Sequence, residues 1–379
     1  MQTYELRIFD TTLLRFSLES ADIEGLRASI LSVKQNEKHL LPLDLELSAE
    51  GVAAWLRRRV IPKNRAFVDE ILRSLGLSQG DTQGIIDICK GLSLNDCYWV
   101  VPEGFDGKFA DFNLYENRFS EILALVAYTG AGQSQEAFTT SPELTTNGML
   151  PKAWRFVETD GITLYKGGTT GAANTGNEPF AEFYACQIAQ AMGLDVVQYD
   201  LENWKGMLAS TCKLFTNLDT AYVPIGRVVR SGGLKAVLAY HEKLSPQAFE
   251  AVKSMLVFDA VICNEDRHFG NFGLLRNNRT GEILGTAPLF DHGFSLFNLA
   301  MPSDFNDLAA YAKTRAPVYE GTAFEGICRA VMGKQQAAQL RQLIGFTFKR
   351  HPSINWPEER LQAIEQWLQG RVRELLNLR

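Results

Sequence analysis

Three side chains set the chemistry this chain could perform: the carboxylates of Asp266 and Asp291 and the amide of Asn271. They sit in NEDRHFGNFGLLRNNRTGEILGTAPLFDHGFSLF, residues 264–297, with Asn271 five positions after Asp266. Apolar residues 272–275 read as a short strand, 277–282 as a turn and 283–290 as a return strand. A hairpin of that kind brings Asp291, the first residue of Asp291-His292-Gly293, back to the mouth of the loop that starts at Asp266. One acid can then orient a hydroxyl and accept its proton, while the amide oxygen and the second acid supply hard ligands for Mg²⁺. That set suits phosphoryl transfer from ATP. A lone Asp-x4-Asn reads equally well as a polar turn in which Asp266 pairs with Arg267 or caps a strand. Loop, hairpin and Asp-x-Gly together favour the chemistry.

The surrounding pattern supplies elements to hold this segment. Ser245-Pro246 is a cap and first-turn pair, and Phe249, Val252, Leu256 and Ala260 follow at helical spacing, so a helix should lead into the loop. Amphipathic helices are expected near 334–350 and 357–378. Upstream, 154–157 and 162–166 read as a hairpin turning at Asp160-Gly161. The loop GGTTGAANTGN, 167–177, lacks GxGxxG and the Walker Gly-Lys-Ser/Thr and reads as a flexible connection. Pro179 then starts a helix with Phe180, Phe183, Tyr184, Ile188 and Met192 on its apolar face, and Gly193 closes it.

Nearer the start, a strand is expected at 4–9. A helix at 53–59 is broken by Pro62, another at 64–75 is stopped by Gly76, and a third spans 113–130. Arg57-Arg58-Arg59 reads as a solvated helix end. The motif KGLSLND, 90–96, suggests no chemistry. A Ser/Thr/Gly-rich stretch, 130–148, precedes the β-rich part. The expected division is an accessory region at 1–112, a small β-rich lobe at 113–230 and a helical lobe at 231–379.

Composition narrows the class. The 379 residues are 46% hydrophobic and 22% charged, ordinary for a soluble globular chain with two or three domains. No apolar run approaches the roughly 20 residues a membrane span needs, and the acidic start is unlike a signal peptide, so a cytoplasmic protein is expected. A net charge of −6 argues against nucleic acid as a direct ligand. The six cysteines show no CxxC pair and read as free thiols, and the five histidines show no HExxH spacing.

With these residues in view, DRHFGN followed by APLFDHG resembles the HipA-like kinases, whose signature is Asp-Arg-His-x-x-Asn and then a Pro-x-Tyr-Asp segment. The resemblance implies an α+β, two-lobed protein-kinase-like fold, with a small β-rich lobe, a larger helical C-terminal lobe and an extra N-terminal region. It implies Asp266 as the catalytic Asp, Asn271 and Asp291 as magnesium ligands, and His268 as part of the same nucleotide-binding loop. Lys166, ending ITLYKG, stands where the family holds ATP with a strand lysine, and Glu182 matches the family's helix acid, which could pair with it. TTNGMLPK, 145–152, is similar to the family's phosphate-binding loop, with Gly148 admitting backbone amides to the phosphates and Lys152 adding charge. In the family the residue opening that loop is autophosphorylated, which ejects the loop; Thr145 matches it, with Thr146 adjacent. Three departures stand out: the family's Arg-Phe-Asp-Arg after the hinge is replaced by STCKLFTNLD, 210–219, the Asp291 segment reads Leu-Phe-Asp-His-Gly where the family usually has Tyr-Asp, and residues 1–112 match poorly.

The activity so implied is that of a serine/threonine protein kinase using Mg²⁺ and ATP. By the same resemblance it is a growth-arresting toxin with an aminoacyl-tRNA synthetase as protein substrate and a small DNA-binding antitoxin as partner. Two other functions stay open: a nucleotide-binding module with negligible turnover that acts by docking a protein, and a kinase with a small-molecule acceptor.

Overall fold

The computed structural model describes residues 2–21, 25–131 and 140–378. In chain order the strands and helices to the end of the β-rich part are β1 (Gln2–Ile8), β2 (Thr11–Ala21), β3 (Gly25–Val33), α1 (Ala49–Arg57), α2 (Val68–Arg73), α3 (Thr82–Cys89), β4 (Tyr98–Pro102), α4 (Phe109–Phe112), α5 (Glu121–Thr129), β5 (Lys152–Val157) and β6 (Gly161–Lys166). The rest comprises α6 (Glu178–Ala191), β7 (Tyr199–Trp204), β8 (Met207–Lys213), β9 (Thr220–Pro224), α7 (Ile225–Val228), α8 (Gly233–Leu244), α9 (Pro246–Ile262), β10 (Gly273–Asn277), β11 (Ile283–Thr286), α10 (Leu308–Ala312), α11 (Phe324–Val331), α12 (Lys334–Arg341) and α13 (Glu358–Leu376). No helix among the described residues is long and apolar enough to cross a membrane. Part of the Ser/Thr/Gly-rich stretch, 132–139, lies outside the described residues.

The chain forms two compact units, and each draws on separated segments. The first comprises Met1–Lys166, Lys213–Val223 and Leu275–Leu284. Its main sheet runs β3-β2-β1-β4, antiparallel, with Leu6 opposite both Leu14 and Val100. Alternation along β1 buries Tyr4, Leu6 and Ile8 with Phe16, Trp99 and the α1 residues Trp55 and Leu56. Ser48 caps α1 by accepting the Gly51 N–H at 2.9 Å. A second apolar cluster joins α2, α3 and α5 through Ile71, Leu72, Ile85, Leu123 and Val126.

Arg59 corrects the expectation of a solvated basic helix end. It is buried, pairs with both carboxylate oxygens of Asp96 at 2.7 and 2.8 Å, and donates to the Gly91 and Tyr98 carbonyls. Asp96 closes KGLSLND, so that motif is the acceptor of a buried guanidinium. The motif also receives two returning segments. Thr216 donates its hydroxyl to the Leu94 carbonyl, and the Tyr222 N–H reaches the Asn95 carbonyl at 2.8 Å. Arg276, in the outer part of the β10–β11 hairpin, is buried and donates to the His39 and Leu41 carbonyls and to the Tyr98 hydroxyl. These contacts, far apart in sequence, are why the compact units cut the chain differently from the three-part division at 112 and 230.

The second unit comprises Gly167–Cys212, Pro224–Leu274 and Gly285–Arg379 and is mainly helical. Ser245 caps α9 with Pro246 in the first turn, and the Ala248 N–H lies 3.0 Å from the Ser245 hydroxyl. Met255 to Ile262 of α9 are all buried, and α8, α11, α12 and α13 pack against this helix. α12 ends at Arg341, well before the expected 350, and Gly345 beyond it has φ +78°. The return strand is also shorter than expected. The Ala287 N–H still donates to the Gly273 carbonyl at 2.9 Å, but Pro288 cannot donate to a ladder, and the chain then leaves β10, so that Leu289 bridges Val196 instead.

Candidate active site

α9 ends at Cys263 in the left-handed region, φ +50°, and this turn starts the loop that carries Asp266. Asn264, fully buried, accepts the Asp266 N–H at 3.1 Å and donates to Asp259 Oδ1 at 3.0 Å. The backbone of Asp266 is therefore tied to the last turns of α9. Asp266 itself is half-buried. Asn271 donates its Nδ2 to the Asp266 carbonyl at 2.9 Å, which closes the loop. His268 is exposed; its Nδ1 accepts the Gly270 N–H at 3.0 Å and shapes the tip of the same turn.

Arg267 organises the segment. Its side chain is 1% exposed, and all five of its N–H groups are engaged. Nε and Nη2 donate to the Asp259 carboxylate at 3.0 Å, Nη2 also donates to His292 Nδ1 at 2.9 Å, and Nη1 bridges the Asn271 and Phe290 carbonyls. One guanidinium nitrogen thus holds the residue that carries the amide beside the residue preceding Asp291. With every donor committed, Arg267 has none left for Asp266, so the alternative of an Asp266–Arg267 pair does not hold. Burial opposes charge on the guanidinium, yet Asp259 holds its pKa above the ordinary value. Tyr319 adds a hydrogen bond from its hydroxyl to the Arg267 carbonyl at 2.7 Å.

Asp291 has φ +58°, a left-handed conformation that a non-glycine residue keeps only where its surroundings enforce it. They do so on both sides. The Asp291 N–H donates to the Tyr199 hydroxyl at 3.1 Å, and the next N–H, of His292, donates to Glu182 Oε2 at 2.8 Å. Burial pushes the Tyr199 phenol well up, reinforced by the negative charges of Glu182 and Asp291, so it stays protonated. Gly293 explains the third letter of Asp-His-Gly. A Cβ there would lie 3.3 Å from Glu178 Cβ and 3.5 Å from Glu182 Oε1, so only glycine lets the turn close onto α6 without displacement. Glu178 also accepts the Thr169 N–H at 3.0 Å and hydroxyl at 2.7 Å, and Asn174 donates to the Leu299 carbonyl. The glycine-rich loop is therefore tied down at several points, where a flexible connection was expected.

Gly148, Lys152 and Lys166 belong to the first unit; Glu182, Asp266, His268, Asn271 and Asp291 belong to the second. Lys152 and Lys166 stand directly opposite each other across the β5–β6 ladder, on one face, and both are buried. Lys152 Nζ donates to the Asn147 carbonyl at 2.9 Å. Gly148 has φ +94°, and a Cβ there would sit 2.1 Å from Lys152 Nζ. Thr145 is 4% exposed and donates its hydroxyl to the Leu92 carbonyl at 2.7 Å; Thr146 donates to the Pro142 carbonyl.

Sequence reasoning missed Asp259, Asn264, Arg267 as an organiser, and Tyr199. Asp259 had a signal, an acid inside the apolar helical run VFDAVI. The second unit also encloses a cavity of about 440 Å³ walled by α8, α9 and α12 and by Phe272 and Leu289; none of the predicted site residues lines it.

No model of a protein family matches the chain. A 135-residue stretch is 29% identical to the serine/threonine-protein kinase CtkA of Helicobacter pylori, covering 32% of this chain and 41% of that protein. The chain thus spans about two fifths of the length of the curated relative it matches. Among solved structures, HipA from the Shewanella oneidensis MR-1 toxin–antitoxin complex with HipB and operator DNA aligns over 99% of both chains, with a TM-score of 0.57 and 14% identity. The crystal structure of CtkA aligns over 60% of this chain and 92% of that one, with a TM-score of 0.48 and 20% identity.

Proposed function

We propose, for a chain that has the α+β fold of the HipA-like kinases, that it is a Mg²⁺- and ATP-dependent serine/threonine protein kinase. The observation that carries this reading is the Arg267 bridge between the Asn271 and Phe290 carbonyls, which ties the backbone of the Asp266 loop to the residue before Asp291 and so supports a shared site for the three side chains. The donor set fits magnesium: it is all oxygen and only partly built by protein, as expected where phosphate oxygens complete the shell. In keeping with that, the described residues contain no cluster of three or more His, Cys, Asp or Glu able to hold a metal alone. When bound, Mg²⁺ neutralises charge on the transferring phosphoryl group.

In this reading Asp266 orients the acceptor hydroxyl and takes its proton, and Asn271 Oδ1 and Asp291 hold the metal. Lys152 and Lys166 take the phosphates. Glu182 holds the Asp291 turn through the His292 N–H. CtkA, a serine/threonine kinase by name, supports a hydroxyl acceptor on protein. The Shewanella protein is HipA of a toxin–antitoxin system, complexed with HipB and operator DNA, which is consistent with restraint by an antitoxin partner. The growth-arresting role in the cytoplasm and a protein substrate such as an aminoacyl-tRNA synthetase are proposed on the family resemblance of the sequence alone.

Purified protein with γ-labelled ATP and Mg²⁺ tests the reading. Label should enter protein, and Asp266→Asn should lower the rate roughly a thousandfold while ATP still binds. Bound ATP without turnover in the wild type would instead identify a docking module. Label appearing only on an added metabolite would identify a small-molecule acceptor.

A further inference from the structure

Arg65 lies in PKNRAFVD, part of the N-terminal region for which the sequence offers no role. Its side chain is fully buried against the fully buried Glu143. Nη2 donates to the Glu143 carboxylate and to the Lys152 carbonyl at 2.9 Å, and Nη1 donates to the Glu143 and Thr146 carbonyls. The other Glu143 oxygen accepts the Trp154 N–H at 2.8 Å. A single ion pair therefore fastens the entry of the segment 143–154 to its exit, and the exit is the first residue of β5, Lys152. The next residue, Ala66, donates its N–H to the Met149 carbonyl at 2.8 Å, at the tip of the same segment. A third tie comes from KGLSLND, whose Leu92 carbonyl takes the Thr145 hydroxyl.

Burying two charges is an expensive way to gain stability, since desolvation offsets most of the attraction, and Arg65 Nε is left without a partner among the described residues. What this pair provides is a fixed backbone path. We propose that Arg65 is a positioning residue for nucleotide binding, and that Arg65, Ala66 and Leu92 together form a seat on which the loop 145–152 is held in its binding shape. The N-terminal region is then part of the nucleotide site. Arg65 touches no reacting atom; it sets where Gly148 and Lys152 stand. The inference rests on the reading of this loop and of Lys152 and Lys166 as phosphate-binding.

The test compares Mg-ATP binding, by calorimetry, with thermal stability in the full chain. In Arg65→Met combined with Glu143→Gln the buried pair becomes neutral at similar volume, and the new amide oxygen still accepts the Trp154 N–H, so the fold should survive. The dissociation constant for Mg-ATP should rise roughly tenfold, through lost preorganisation, with a larger change in KM than in kcat. Thr145→Val leaves the ion pair intact, cuts the Leu92 tie and should weaken binding severalfold even if the double variant proves unstable. Wild-type affinity in a folded double variant, or in Thr145→Val, overturns the seat. Failure of the wild type itself to bind Mg-ATP overturns the phosphate-site reading instead, and the two outcomes are distinct.

Discussion

Arg267 and Asp259 form a buried ion pair in which the acid sits on α9 and the base sits inside the loop, immediately after Asp266. The pair aims the guanidinium so that its remaining donors reach the Asn271 and Phe290 carbonyls and His292. Lysine could keep the charge but not the planar fork. Arg267→Lys should therefore cost about 3 kcal/mol in urea unfolding. It should also lower kcat far more than it raises KM for ATP, because the loop and the Asp291 turn lose their common anchor. A variant that unfolds earlier yet keeps full kcat when folded would reduce Arg267 to a core residue.

The facing lysines give a prediction about binding. Lys152 and Lys166 are placed as partners at one register of β5 and β6, where like charge is unfavourable. Lys166→Met keeps the aliphatic body of the side chain and removes the charge. It should weaken ATP binding roughly tenfold to a hundredfold in a variant that still folds, as expected for loss of a charged hydrogen bond to phosphate. Calorimetry and thermal denaturation on the same preparation decide it. Unchanged affinity would remove Lys166 from the phosphate site.

What the sequence disclosed, and what it hid, follows from range. The β5–β6 hairpin was legible from its local turn at Asp160-Gly161, but β5 starts at Lys152 and not at 154, so the facing of Lys152 with Lys166 was not. The loop and hairpin that carry Asp266, Asn271 and Asp291 were legible because they are short-range objects. The tie between Arg65 and Glu143 was not, since the two are 78 residues apart and neither stands in a pattern that announces a partner. Arg59 misled for the same reason: three arginines in a row look solvated until Asp96, 37 residues on, is folded against the last of them. The end of α12 was missed because amphipathic spacing continues past Arg341, while the chain itself turns.

His241 provides the pH prediction. It is buried on α8, where its ring Nδ1 donates to the Val237 carbonyl at 2.8 Å, and it shares the cavity wall with Glu250, whose carboxylate is engaged by Lys253 and Gln336. Burial, partly countered by the Val237 bond, holds its pKa below the ordinary value of 6.5. The unfolded chain then takes up the proton first as pH falls. The contribution of His241 is fully present above the unfolded value and is lost as pH drops through 6.5 towards the lower folded value. In urea melts between about pH 8 and pH 5.5, the wild type should lose more stability than His241→Gln, whose side chain does not titrate. Other acid-sensitive groups are common to both proteins, so the difference isolates this ring. A gap between the two that stays constant across the range would mean that His241 titrates alike in the folded and unfolded chain.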